Sequence, residues 1–175
     1  MLELYASNGG KAAAVSRRLL TYALQVRGIE GVPALGRAPG GKPCFSEHRD
    51  LHFNLSHSGP YALCAVSDAP VGVDIEAVRP RRESLLRVLS QTELDWFQAR
   101  GSRWEDFYCL WTLKESLCKQ SGRGLDRRPE QIRVPLLGPG EAAFSSGLFF
   151  RTWGGEGWRA AVCSGGQIEG DICWR

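Results

Sequence analysis

The amino-acid sequence predicts an α+β fold, and three observations carry that prediction. Apolar residues recur at helical spacing from Lys11 to Arg27, where Gly28 supplies a stop. Apolar and polar residues alternate with a period of two through VGVDIE, residues 71–76. The connection HSGP at 57–60 is too short for anything but an antiparallel hairpin between the segments it joins.

The elements follow in order. Residues 2–6 (LELYA) alternate and predict a short strand. The helix over 11–27 would turn Val15, Leu19, Tyr22 and Val26 to the core. Residues 31–50 are rich in Gly and Pro and predict a loop that carries GGKP at 40–43. Strands are expected at about 51–56, 61–67 and 71–76. Arg79-Pro80 breaks the chain, and a helix covering Leu85 to Leu89 follows. SQTE at 90–93 has capping-box spacing and opens a helix to about Arg100. Ser102 and Glu105 repeat that spacing and predict a helix from about Arg103 to Ser121, with Gly122 as its stop. Further strands are expected at 131–137, 147–153, 158–163 and 167–174, with turns at GGEG and SGG. Each half thus offers a helix with antiparallel strands. That order suggests two related subdomains, residues 1–68 and 69–175, although no sequence repeat accompanies it.

A chain of 175 residues suffices for one core or two small packed halves. Its net charge of +3 is mild, and no groove-like run of basic and aromatic residues points to nucleic acid. The start, MLELYASNGG, lacks the charged and apolar regions of an export signal, and no stretch approaches the roughly 20 apolar residues of a membrane span. A cytoplasmic protein without a membrane partner is therefore expected. Six cysteines without a CxxC pair then predict reduced, buried thiols rather than disulfides or zinc ligands.

Three stretches carry chemistry. Along VGVDIE, Val71, Val73 and Ile75 would face the core and Asp74 and Glu76 the opposite side. Two such neighbouring carboxylates suit a divalent cation, and they equally suit a solvated strand face. In WTLKES, Glu115 shares a helical stripe with Trp104, Tyr108, Trp111 and Cys118. An acid in an aromatic stripe needs a counter-charge. An i,i+4 pair with Lys119 is the modest alternative to a metal. In FNLSHSG, Ser56, His57 and nearby amides gather donors at a hairpin, and Lys42 on the upstream Gly-rich loop adds a mobile positive charge. Such a set suits phosphate, or it merely satisfies the turn. Arg17 and Arg18 read as a solvated helix face. Taken together, acids for a cation and donors for phosphate describe a site for phosphoryl-type transfer.

GKP, FNLSHSG, VGVDIE and FYCLWTLKESLCKQSGRGL occur in the order and approximate spacing of the 4′-phosphopantetheinyl transferases. Over about residues 40–135 the chain resembles the two-subdomain, surfactin-synthetase-activating type more than the short trimeric holo-acyl-carrier-protein synthases. The resemblance implies two similar subdomains in a pseudo-two-fold arrangement. It also implies a reaction. A serine hydroxyl of an apo acyl or peptidyl carrier protein attacks the β-phosphate of coenzyme A, and 3′,5′-ADP leaves. Asp74, Glu76 and Glu115 match the family's Mg²⁺ ligands, where Mn²⁺ is also acceptable. Glu115 matches the general base, and Lys119 matches a residue that contacts the phosphates. Lys42 and Pro43 match the hold on adenine and the 3′-phosphate, Ser56 and His57 match further phosphate contacts, and Arg17 is placed near the 3′-phosphate. Larger relatives carry more N-terminal sequence with basic residues for coenzyme A, so a raised KM for coenzyme A is expected. Arg79, Arg81, Arg82 and Arg87 are candidates for steering an acidic carrier protein. A monomer is expected, because two subdomains can each supply half a site. The rival readings are a coenzyme A- or carrier-binding module without turnover and a magnesium-dependent nuclease. The presence of all three acids and Lys119 argues against the first, and the mild charge argues against the second.

Overall fold

A computed structural model describes residues 1–9, 12–124 and 127–175, with no side-chain detail for Ala12 and Ala13. The expected helix start at Lys11 and Leu125 of the GRGL run lie outside the described residues. Two four-stranded sheets form the frame. The first has the order β10-β1-β5-β4, built from Cys173–Trp174, Leu2–Asn8, Tyr61–Ser67 and His52–Ser58. The second has the order β6-β9-β8-β7, built from Val71–Ala77, Trp158–Ser164, Leu148–Gly155 and Ala142–Ser145. A small ribbon pairs β2 (Leu35–Arg37) with β3 (Pro43–Phe45). All pairings are antiparallel except β1 with β10. The mixed α+β class with antiparallel sheets is therefore as the sequence predicts, and so is the β4–β5 hairpin.

Alternation explains why the sheets stack. Val71, Val73 and Ile75 on β6 are fully buried and join Leu4, Leu63 and Val162 in a core between the two sheets. The outer face of the first sheet is covered by α1 (Ala12–Val26), through Leu19, Leu20 and Leu24 packed on Tyr5, Phe53 and Val66. That stripe sits about one residue from the expected one: Leu19 is buried, whereas Val26 is 53% exposed. The outer face of the second sheet is covered by α3 (Trp104–Ser121), whose Leu113 packs on Phe150, Ala161 and Cys163. Gly72 on β6 makes this close approach feasible. A Cβ there would lie 2.1 Å from the Ser116 carbonyl oxygen and 2.2 Å from the Gln120 nitrogen.

The edges of the two sheets are joined by side chains rather than by a ladder. Asn54, Ser56 and Ser58 form one row along edge strand β4. The Asn54 Oδ1 accepts from the Val73 amide (2.8 Å), and Ser56 Oγ accepts from the Ile75 amide (3.3 Å). Ser56 and Ser58 donate to Asp74 and Glu76.

Several expectations are corrected. The stretch Leu85–Leu89 is reached by a 3₁₀ segment, Glu83–Val88, not an α-helix. Ser90 does form its capping box with Glu93 ahead of α2 (Gln91–Ala99). The same spacing at Ser102 and Glu105 does not. Arg103 is the N-cap, without a side-chain cap, and Ser102 has a left-handed φ of 56°. Asp106 is claimed instead by Arg100 (2.8 Å) and Arg103 (2.9 Å). Gly122 ends α3 as expected, with φ 70°. The strand expected at 131–137 is absent. A 3₁₀ turn, Pro129–Gln131, precedes an extended run, and the carbonyls of Pro129 and Ile132 accept from Lys114. Residues 142–145 form a strand that the pattern did not suggest, and 167–174 contributes only Cys173–Trp174. None of the six cysteines is in a disulfide, and among the described residues no helix is long and apolar enough to cross a membrane.

Candidate active site

Three elements meet at the seam between the sheets: β4, β6 and α3. Because 72, 74 and 76 share a face of β6, Asp74 and Glu76 turn toward α3 just as Gly72 does. On α3, Glu115 and Lys119 lie one turn apart and face back. The result is a cleft of about 400 Å³ lined by Ser56, His57, Asp74, Glu76, Glu115 and Lys119. Six of the sequence-predicted residues are thus brought together. An adjoining cleft of about 250 Å³ shares Glu115 and Lys119 and adds the Gly40–Pro43 loop, so Lys42 and Pro43 border the same groove. Arg17 lies on the exposed side of α1 and lines none of the described clefts.

The aromatic stripe has a different meaning from the one expected. The deeply buried side of α3 carries Phe107, Leu110 and Leu113, while Trp104, Trp111 and Glu115 are only half-buried. Trp111 stacks parallel on Phe107 at 6.4 Å and lines the cleft beside Glu115. Glu115 therefore sits on the groove side of the helix, not within the core.

Lys119 Nζ donates to Asp74 Oδ1 (2.6 Å) and to Ser56 Oγ (3.0 Å), and Ser56 Oγ donates to the same Oδ1 (2.7 Å). Asp74 Oδ2 is buried and has no hydrogen-bond partner among the described residues. Burial pushes the Asp74 carboxyl above its ordinary range, against the pull of Lys119 and Ser56. Burial also raises Glu76, against Ser58, and the neighbouring Asp74 adds to the rise. Glu115 is raised by burial, then by Asp74 and Glu76, with Lys119 opposing. Three carboxylates raised by burial, with Asp74 lifting the other two, one orphaned buried oxygen and one lysine among them, want more positive charge. Oxygen donors of this kind fit a hard divalent cation. Among the described residues, no three Asp, Glu, His or Cys side chains are grouped so that they could hold a metal ion by themselves, and Asp74, Glu76 and Glu115 are no exception. Mg²⁺ is commonly held by only one or two carboxylates, with substrate phosphates and water completing its coordination.

Lys42 departs from the mobile charge expected of it. Its ammonium donates to the Val71 carbonyl (2.6 Å) and the Gln120 carbonyl (3.3 Å), where it serves the C-terminal end of α3. Burial lowers its pKa to about 8. Gly40 fits against the same helix end, since a Cβ there would lie 1.8 Å from the Gly122 carbonyl oxygen.

Sequence reasoning missed two parts of this site. The period-two row Asn54, Ser56, Ser58 was legible as a polar strand face, but its task of joining two sheet edges was not. Lys114, adjacent to Glu115, is fully buried and paired with Glu93 (2.8 Å); as a lone lysine in a helix it gave no signal.

Residues 70–163 match the 4′-phosphopantetheinyl transferase superfamily. The chain is 35% identical over 133 residues to the 4′-phosphopantetheinyl transferase Sfp of Bacillus subtilis (strain 168), covering 71% of this chain and 59% of that protein. It is also 35% identical over 152 residues to a second 4′-phosphopantetheinyl transferase of Bacillus subtilis, covering 82% and 66%. With the 4′-phosphopantetheinyl transferase AcpT of Escherichia coli (strain K12) it shares 34% identity over 113 residues, covering 61% and 57%. The aligned region spans less than two thirds of the length of each of these relatives. The family match takes in Asp74, Glu76, Glu115 and Lys119, and the chain belongs to the 4′-phosphopantetheinyl transferase superfamily.

Proposed function

We propose that this chain transfers the 4′-phosphopantetheine group of coenzyme A to a serine of an apo acyl or peptidyl carrier protein in a Mg²⁺-dependent reaction that releases 3′,5′-ADP. The observation that carries the reading is the convergence of Asp74, Glu76, Glu115, Lys119, Ser56 and His57 in one cleft. Relatives named for this transferase activity support it.

Asp74, Glu76 and Glu115 would hold the divalent cation, and Mn²⁺ suits the same oxygen donors. When bound, the cation supplies charge neutralisation at the diphosphate. Glu115, whose proton affinity is raised by its surroundings, takes the proton of the attacking serine hydroxyl. The serine oxygen bonds to the β-phosphorus, the bond from that phosphorus to the bridging oxygen breaks, and 3′,5′-ADP leaves with the electron pair. Lys119 supplies positive charge to the phosphates. Ser56 keeps Asp74 oriented, and His57, exposed at the mouth, binds phosphate. Pro43 and the stem of Lys42 wall the adenine end, while the Lys42 ammonium stays on the helix carbonyls. Arg17 serves the 3′-phosphate from α1.

The carrier protein docks at a neighbouring cleft of about 600 Å³, which adjoins the site through Glu76 and Trp111 and presents Arg81, Arg82 and Arg87 over Tyr108. Arg79 lies at the same turn, where its carbonyl accepts from the Tyr108 hydroxyl (3.4 Å). An acidic docking helix complements that surface. We further propose that residues 1–68 and 69–175 act as two pseudo-two-fold subdomains, in a monomer that works in the cytoplasm without membrane or nucleic acid.

The test is intact-mass spectrometry of an apo carrier protein incubated with this protein, coenzyme A and Mg²⁺, with an EDTA control. A gain of one phosphopantetheine that EDTA prevents supports the proposal. No gain on fatty-acid, polyketide or peptide-synthetase carriers overturns it.

A further inference from the structure

The three arginines over the proposed docking cleft differ in how they are held. Arg81 Nε donates to the Tyr108 hydroxyl (3.1 Å), and that hydroxyl donates to the Arg79 carbonyl (3.4 Å). Tyr108 is only 3% exposed, and its ring packs edge-on against the buried Phe107 with centroids 5.4 Å apart. The hydroxyl is therefore a fixed post in the wall of the cleft, set by α3. Arg82 and Arg87 line the same cleft and are exposed, and among the described residues no side-chain partner holds either guanidinium.

That difference has a chemical consequence. With Nε engaged, the two terminal nitrogens of Arg81 remain, and their parallel N–H groups can fork one carboxylate. Among the described residues Arg81 is in no ion pair, so that edge is available. An arginine that is already tethered gives up less side-chain freedom on binding than a loose one. A loose arginine still attracts an acidic partner, but it fixes no orientation. The cleft meets the candidate active site at Glu76 and Trp111. A contact that fixes the partner's orientation here therefore also governs how its serine meets the acids.

We propose that Tyr108 is a positioning residue for carrier recognition: its hydroxyl holds Arg81 so that the outer edge of the guanidinium forks one carboxylate of the acidic docking helix. Arg82 and Arg87 supply attraction without fixed geometry. The inference rests on the reading that this cleft receives the carrier protein. A lysine at position 81 would keep the charge but could not hold the tyrosine and fork a carboxylate together.

The experiment uses the full chain and whichever apo carrier gains phosphopantetheine in the mass assay. Transfer rates are measured with the carrier varied at saturating coenzyme A, then with coenzyme A varied at saturating carrier. Tyr108→Phe should raise the KM for the carrier by about fivefold, because a hydrogen bond to a charged group is lost, and should not raise the KM for coenzyme A. Arg81→Lys should raise the carrier KM by a similar factor, and Arg82→Lys and Arg87→Lys by smaller ones. In the Tyr108→Phe/Arg81→Lys double variant the two factors should not multiply, since both changes break one contact. A merely structural role for the tyrosine would leave its full effect in the Arg81→Lys background. Should Tyr108→Phe melt early, the comparison of Arg81→Lys with Arg82→Lys decides alone, since both positions are exposed. The proposal is overturned if the carrier KM of Tyr108→Phe stays at the parent value, if the factors multiply, or if Arg82→Lys costs as much as Arg81→Lys. A parent that modifies no carrier overturns the functional reading and this inference together, whereas an active parent with an unaffected Tyr108→Phe variant overturns this inference alone.

Discussion

Helix α3 carries two lysines, Lys114 and Lys119, each paired with a carboxylate from another element, and the two pairs are satisfied to different degrees. Lys114 is fully buried and makes three contacts of 2.8 Å, to Glu93 Oε1 and to the carbonyls of Pro129 and Ile132. Those acceptors use all three of its donors. Glu93 Oε2 accepts from the Ser90 amide, so the acid is also complete. Lys119 is 29% exposed, and the Oδ2 of its partner Asp74 has no hydrogen-bond partner among the described residues. A closed pair fixes one helix to its neighbours. An open pair keeps binding capacity in reserve for something else. The same helix thus has a structural side and a chemical side, and the difference lies in the count of unmet lone pairs.

Changing Glu115 tests the chemical side most severely. Glu115→Gln should lower transfer by about a thousandfold, the middle of the range for a general base, while the thermal melt stays near that of the parent. Near-normal transfer by mass spectrometry would remove Glu115 from its proposed roles. The structural side should respond in stability. Lys114→Ala strands Glu93 in the core and should cost about 3–5 kcal/mol in a denaturant titration. Lys114→Met with Glu93→Leu should recover most of that, because no buried charge is left alone. Asp74→Asn should change stability by no more than about 1 kcal/mol, since it removes a charge that burial already disfavours. It should nonetheless abolish Mn²⁺ binding followed by electron paramagnetic resonance.

Two smaller effects concern protons. Asp74, Glu76 and Glu115 all hold protons more tightly than usual, and a cation displaces them. Cation affinity should therefore rise with pH, and calorimetry in buffers of different ionisation heat should show net proton release. Lys42 gives the smallest effect. Its pKa is lowered from 10.5 to about 8, so between those values the unfolded chain binds more protons than the folded one. Stability should rise with pH across that window, and Lys42→Met should flatten the rise in denaturant titrations.

Legibility followed the same division. Elements whose signal is local were read well: the alternation of Val71, Val73 and Ile75, the Gly122 stop and the Ser90 cap all formed. Ser102 had the same spacing as Ser90 and failed, because it is taken up in the turn that closes α2: its amide donates to the Phe97 carbonyl (3.0 Å) and its φ is 56°. Residues 131–137 had strand composition, but Pro135 lacks an amide donor and Lys114 takes the carbonyl of Ile132. The end of the preceding helix decided the first outcome, and a lysine 18 residues away decided the second. In the site, the acids and the lysine were legible as residue types at strand and helix spacing. The buried side of α3 was not, because a helix enclosed on most sides shows no single apolar stripe. Trp111, on the aromatic stripe, both packs against the core cluster around Phe107 and borders the cleft.

Gly72 has a consequence for how damage to this protein would be recognised. It touches no candidate ligand, and its contribution is the space where a side chain would stand. A methyl group there would wedge α3 away from β6 and pull Glu115 and Lys119 from Asp74 and Glu76 together. A protein with such a substitution would behave as though its candidate acids had been deleted, although every one of them would still be encoded. The harmless-looking exchange of glycine for alanine at position 72 thus belongs in the same class as loss of a candidate-site carboxylate.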